Sequence, residues 1–159
     1  MRLVNSGFKE TSAWDDEYEG IVSGWRMALS ILMYYLEHHF GLPKSQFLVM
    51  RPAQFEYKQL KPYFLQKDHL AKWLTRSGGV GQVGERYQLE LRDGSTMSGR
   101  GLALTQREVT LGWEEMRATF EMKAFAMGPG KRMVGIRGLG WGMELARAQQ
   151  IENEFAPAV

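Results

Sequence analysis

The chain has no cysteine, which excludes disulfides, thiol catalysis and thiolate zinc sites. It has only three histidines, His38, His39 and His69, without metal-ligand spacing, because neighbours on a helix point about 100° apart. His38 and His39 suit the end of a helix, where cationic character complements the dipole, and His69 reads as solvated. No Gly-x-Ser-x-Gly elbow occurs, so nothing marks a serine nucleophile. Long hydrophobic runs are missing as well. The longest apolar stretch, Met27 to Leu36, contains Ser30 and two tyrosines, and is too short for a bilayer span or a signal segment. Nor is there a surplus of one charge. Twenty Lys plus Arg against eighteen Asp plus Glu leave +2, scattered rather than grouped, which argues against a nucleic-acid partner. The expectation is no catalytic residue, no metal, no cofactor, no nucleic acid, no membrane span and a cytoplasmic location.

What is present is an ordinary globular composition, 44% hydrophobic and 24% charged over 159 residues, enough for one sizeable core. One motif occurs twice. Gly24-Trp25-Arg26-Met27-Ala28-Leu29 and Gly140-Trp141-Gly142-Met143-Glu144-Leu145 share Gly-Trp-x-Met-x-Leu. Each lies downstream of an Arg-[Leu/Met]-Val run, Arg2-Leu3-Val4 and Arg132-Met133-Val134. Repetition at about one domain length predicts a tandem module whose first copy survives only in part. A second reading takes Met1 as internal to a longer tandem protein. Residues 1–40 would be the partial repeat, 41–46 a linker, and 47–159 the complete module.

The hydrophobic period assigns the elements. Residues 2–5 predict a strand, and Ser12 or Asp15-Asp16 a helix cap. From Asp15 to Phe40, Tyr18, Ile21, Val22, Trp25, Leu29, Leu32, Met33 and Leu36 recur at three- and four-residue steps, predicting one long amphipathic helix stopped by Gly41 and Pro43. Phe47–Met50 reads as a strand, and 52–75 as two short helices broken at Pro62. Alternation then places Tyr87, Leu89 and Leu91 on one face, before a hairpin turn at Asp93-Gly94. Further strands are expected at 97–104, 109–113, 115–125 and, after Gly128-Pro129-Gly130, 131–137. A last helix from about Gly140 to Phe155 would carry Trp141, Leu145, Ala148 and Ile151 on one side.

In this order, Trp73, Asp93-Gly94 with Gly99, Val109-Thr110-Leu111-Gly112-Trp113 and Gly140-Trp141 resemble the START/Bet v 1-like (SRPBCC) helix-grip superfamily. Within it, the chain is most similar to the branch of Activator of Hsp90 ATPase homologue 1-like proteins. The resemblance covers 47–159, and residues 2–40 resemble the family's final strand and helix, with Ser6-Gly7-Phe8 following Asn5. It implies an α+β fold in which a curved antiparallel sheet wraps a long helix, with two short helices between the first two strands and an extra strand and amphipathic helix in front. It also implies an apolar cavity lined by Tyr87, Leu89, Leu91, Trp113, Phe120, Met122, Trp141 and Leu145, with Trp73 near its mouth. Ten methionines fit an adaptable lining. The same side chains filling a dry core is the alternative.

Three functions follow: a binding or carrier module for a small hydrophobic ligand, an interaction domain resembling the Hsp90-activating family, or a cyclase-like enzyme. Since 15–40 has no sheet of its own, its helix is expected to dock on the 47–159 module or on a partner's, giving a homodimer by exchange. Gly79-Val80-Gly81-Gln82-Val83-Gly84 spells a dinucleotide fingerprint but lacks the preceding strand and following helix, so it reads as a loop rimming the pocket. Glu114, Glu115 and Glu121 are the nearest to an acidic constellation, Glu114 and Glu115 reading as a solvated hairpin. Arg100 and Arg137 are alternative anchors for a ligand carboxylate.

Overall fold

The computed structural model describes Val4, Ser6 and residues 15–52, 75–105, 108–126 and 132–156. The expected strand at 2–5, the Ser12 cap, the two short helices with Trp73 and the Gly128-Pro129-Gly130 turn lie wholly or largely outside the described residues. Helix α1 (Asp15–His38) precedes strands β1 (Lys44–Pro52), β2 (Thr75–Gly79), β3 (Arg86–Leu91), β4 (Thr96–Leu104), β5 (Glu108–Trp113), β6 (Ala118–Ala126) and β7 (Arg132–Trp141), and helix α2 (Leu145–Phe155) closes the chain. The strands form one sheet in the order β1-β7-β6-β5-β4-β3-β2, every pair antiparallel.

Alternation gives this sheet two unlike faces. Phe47, Val49, Tyr87, Leu89, Leu91, Val109, Leu111, Trp113, Phe120, Met122, Val134 and Ile136 turn inward and form the main core with Ala148, Ile151 and Phe155 of α2. The opposite face carries Glu108, Thr110, Thr119 and Glu121, all buried, and α1 covers it with Met27, Ile31 and Tyr34. The helix of residues 15–40 thus lies on its own chain's sheet.

Three expectations are corrected. First, Gly140-Trp141 does not open the last helix: Trp141 pairs with Lys44 at the end of β7, its N–H bonds to the Arg117 carbonyl at 2.9 Å, and the turn at Gly142 (φ 70°) delays α2 to Leu145. The first copy, Gly24–Leu29, lies wholly inside α1, so the two motif copies take different conformations. Second, residues 114–117 are a turn rather than strand, held by the Arg117 N–H to the Glu114 carbonyl at 3.1 Å. Third, Thr75, expected to end a helix, instead begins an edge strand, Thr75–Gly79, with a register shift between Thr75 and Ser77 against β3.

Close packing fixes glycine at Gly138, where a Cβ would stand 1.9 Å from the Phe47 ring and 2.6 Å from the Thr119 carbonyl oxygen. Gly24 is the opposite case, with nothing within 4 Å in mid-helix. Gly138→Ala is expected to cost about 2 kcal/mol or more, and Gly24→Ala to add up to about 1 kcal/mol. Urea denaturation of both variants checks the pair.

Candidate functional site

Among the described residues, a hollow lies on each face of the sheet. On the inner face, a cleft of about 310 Å³ opens between α2 and the ends of β3 to β5. Its apolar wall is Leu91, Trp113, Met116 and Phe155, and its rim is Arg92, Asp93, Ser95, Thr96, Glu115, Arg147 and Glu154. The β3–β4 hairpin shapes one side. Asp93 Oδ1 accepts the Ser95 N–H at 2.8 Å and its hydroxyl at 2.6 Å, bonds that hold the Asp93 carboxyl below its usual value. On the other side Phe155 packs at 6.2 Å edge-on to Trp113 and at 5.2 Å from Phe120. The α2 helix is tied to the sheet edge where Glu152 accepts the Leu48 N–H at 2.9 Å.

Trp113 is the distinctive group. It is 5% exposed, and its indole nitrogen is buried without a hydrogen-bond partner. An unmet buried donor costs about 1–3 kcal/mol. The residue borders the cleft, while its indole nitrogen lies beneath the surface among apolar neighbours.

The expected lining residues divide. Leu91 and Trp113 line the cleft, whereas Tyr87, Leu89, Phe120 and Met122 lie in the same core without bordering it. Tyr87 spends its hydroxyl on the Gly112 carbonyl at 2.7 Å, and burial pushes its pKa far up. Trp141 and Leu145 are corrected: Trp141 belongs to the opposite face, stacked on His39 at 4.8 Å, and Leu145 is 66% exposed. Both were assigned to a helix face that begins only at Leu145. Trp73 lies outside the described residues. Sequence reading missed Met116, Arg147 and Phe155 as lining; Phe155 was signalled by its step of four from Ile151.

The outer hollow, about 530 Å³, lies between the second half of α1 and β4, bordered by Tyr34, His38, His39, Arg100, Leu102 and Glu114. Val83 and Gly84 rim it, so the glycine-rich loop borders this face rather than the inner cleft. Arg100 donates to the Gly84 carbonyl at 3.1 Å. Burial, then Glu114 and Glu115, raise the Tyr34 hydroxyl to about 12. Burial, then His38 and Arg117, lower the His39 pKa.

The carboxylates separate by face and exposure. Glu114 pairs with Arg86 at 2.7 Å at the surface. Glu115 accepts the Ser98 N–H at 3.1 Å and its hydroxyl; burial opposes ionisation there, but these bonds prevail and its pKa falls. Glu121 is fully buried under α1. It pairs with Arg137 at 2.7 Å and 3.0 Å, and borders neither hollow. Glu108 accepts from the Ser23 hydroxyl at 2.5 Å and lies 3.7 Å from Lys123. Among the described residues no group of three acidic or histidine side chains is arranged to hold a metal, and no helix is long and apolar enough to cross a membrane.

No family model matches the chain, and no curated protein matches it. Solved structures do. The Aha1 dimer from Colwellia psychrerythraea superposes with a TM-score of 0.57 at 13% identity, over 72% of this chain and 90% of that one. Protein MLL2253 from Mesorhizobium loti gives 0.57 at 15%, over 72% and 90%. DynU16, a protein of the dynemicin biosynthetic locus, gives 0.58 at 11%, over 73% of this chain and 46% of its own. With the seven-stranded sheet and the helix held on its inner face, these settle the architecture. The chain has the START/Bet v 1-like helix-grip fold. In helix-grip terms α2 is the gripped helix, and α1 is an added layer on the outside of the sheet.

That added layer buries a carboxylate. Burial raises the Glu121 pKa above 4.5, Arg137 and Lys123 opposing and Glu108 reinforcing the shift. The folded state then binds this proton more tightly than the unfolded chain, so this residue's contribution to stability falls as pH rises from 4.5 through the folded value. Relative to Glu121→Gln, the parent chain should therefore lose stability across that window. Parallel urea titrations from about pH 4 to about pH 7 check the sign.

Proposed function

We propose that the chain binds a small apolar molecule in the inner-face cleft, as a binding or carrier module. The observation that carries this reading is the apolar wall made by Leu91, Trp113, Met116 and Phe155; a small shift of the Trp113 ring on binding would offer a ligand its indole N–H, buried and unpartnered in the free protein. Such a wall fits a ligand with an apolar body and one acceptor oxygen. Burial of the body contributes about 25 cal/mol per Å², and the indole fixes orientation. The volume suits a compact ligand, at the low end of the roughly 300–1,000 Å³ range of small-molecule sites. Tyr87, Leu89, Phe120 and Met122 serve as the backing of this wall. The helix-grip fold supports the reading, since its sheet and helix leave room between them.

A second element of the proposal is self-association through residues 15–40. It is supported by the exposed apolar side chains of α1, and the Colwellia neighbour is by its name a dimer.

Prodan, a neutral naphthalene ketone whose emission reports polarity, is a suitable probe. Saturable, blue-shifted emission at one probe per chain is expected. Trp113→Phe should weaken binding about tenfold, the worth of one hydrogen bond, while costing less than about 1.5 kcal/mol of stability because it also removes an unmet donor. Trp141→Phe should leave binding unchanged. Equal affinity in the parent and Trp113→Phe would contradict the reading.

A further inference from the structure

Helix α1 carries two apolar stripes, and the sheet uses only one. Met27, Ile31 and Tyr34 are 4–8% exposed against the sheet. Tyr18, Val22, Trp25, Leu29, Leu32 and Leu36 follow alternating steps of four and three, the 3.5-residue period of a coiled-coil seam. Of these, Tyr18, Trp25, Leu32 and Leu36 are 54%, 41%, 44% and 51% exposed, and Met33 beside them is 59% exposed. A surface helix of a monomer ordinarily turns one apolar stripe to its core and a polar face to water.

Resting on the proposal that residues 15–40 carry self-association, we infer that two copies of this chain pair their α1 helices antiparallel along this second seam. The spacing closes on itself about position 27. Tyr18 falls opposite the partner's Leu36, Val22 opposite the partner's Leu32, and Trp25 opposite the partner's Leu29. Every layer is then apolar on both sides, as a two-fold interface requires. Charge selects the direction. The helix begins Asp15-Asp16-Glu17, with Glu19, whereas its last turn carries a single carboxylate, Glu37, beside His38. A parallel pair would set four carboxylates against four. The antiparallel pair avoids that clustering and opposes the two helix dipoles, leaving Glu17 opposite the partner's Glu37 as its one like-charge layer. The exposed part of the stripe is on the order of 500 Å² per chain, so a pair buries roughly 1,000 Å², the lower bound of a specific interface. Each chain keeps its own α1 on its own sheet, so nothing is exchanged.

Light scattering of the full chain should report a dimer, and Trp25→Glu with Leu32→Glu should halve the mass. The thermal transition should stay sharp in that variant, because both side chains are exposed in the single chain. The chain has no cysteine, so an introduced thiol is unique. Val22→Cys and Leu32→Cys should each stay uncrosslinked alone and form a disulfide-linked pair when mixed and oxidised. A monomeric parent chain overturns self-association and the pairing together. A dimer in which each variant crosslinks to itself, or in which the mixture forms no disulfide, keeps self-association and overturns the antiparallel seam.

Discussion

The rest of the structure depends on the two-residue alternation of the central strands. In β5 the order Glu108-Val109-Thr110-Leu111-Gly112-Trp113 sends every second side chain to the inner face, and in β6 Thr119-Phe120-Glu121-Met122 repeats it. Because β5 pairs Val109 with Met122 and Leu111 with Phe120, the apolar sets coincide. A shift of one residue would exchange the faces. One face therefore becomes a dry core for α2, and the other a polar surface that is nevertheless covered.

Covering a polar surface has consequences. Beneath α1, Glu121 meets Arg137, and Glu108 meets Ser23 and Lys123. Thr110 Oγ1 and one oxygen each of Glu108 and Glu121 are buried without a hydrogen bond. Buried ion pairs return little of their desolvation cost. The α1 layer thus rests on few apolar contacts: Met27, Ile31, Tyr34 and Trp141, with Gly112 admitting the Tyr34 ring to within 3 Å of where a Cβ would sit. The inner layer holds the larger apolar core of the two.

Legibility in the sequence followed the same division. Strict alternation made β3, β4 and β5 readable nearly to the residue, and the helix-grip order was visible from their sequence. The docking face of α1 was not. Its outer stripe is richer in large aliphatic side chains than the true contact face, which passes through Ser23 and Tyr34, so the periodicity points to solvent instead of the sheet. Strand β2 was illegible because Thr75-Arg76-Ser77-Gly78-Gly79 has little strand propensity and is held at an edge by β3. Of the cleft, Leu91 and Trp113 were readable as inward positions. Met116 and Arg147 were not, since a turn and the exposed flank of a helix reach the cleft only through tertiary folding.

In the proposed binding mode, ligand enters on the α2 side and meets Trp113. Indole N–H resonances in a proton–nitrogen correlation spectrum test it most directly, with assignments from single Trp→Phe variants and prodan as titrant. The Trp113 signal should move saturably while that of Trp141, across the sheet, stays fixed. A titration that shifts Trp141 and leaves Trp113 in place would contradict it and assign binding to the outer hollow.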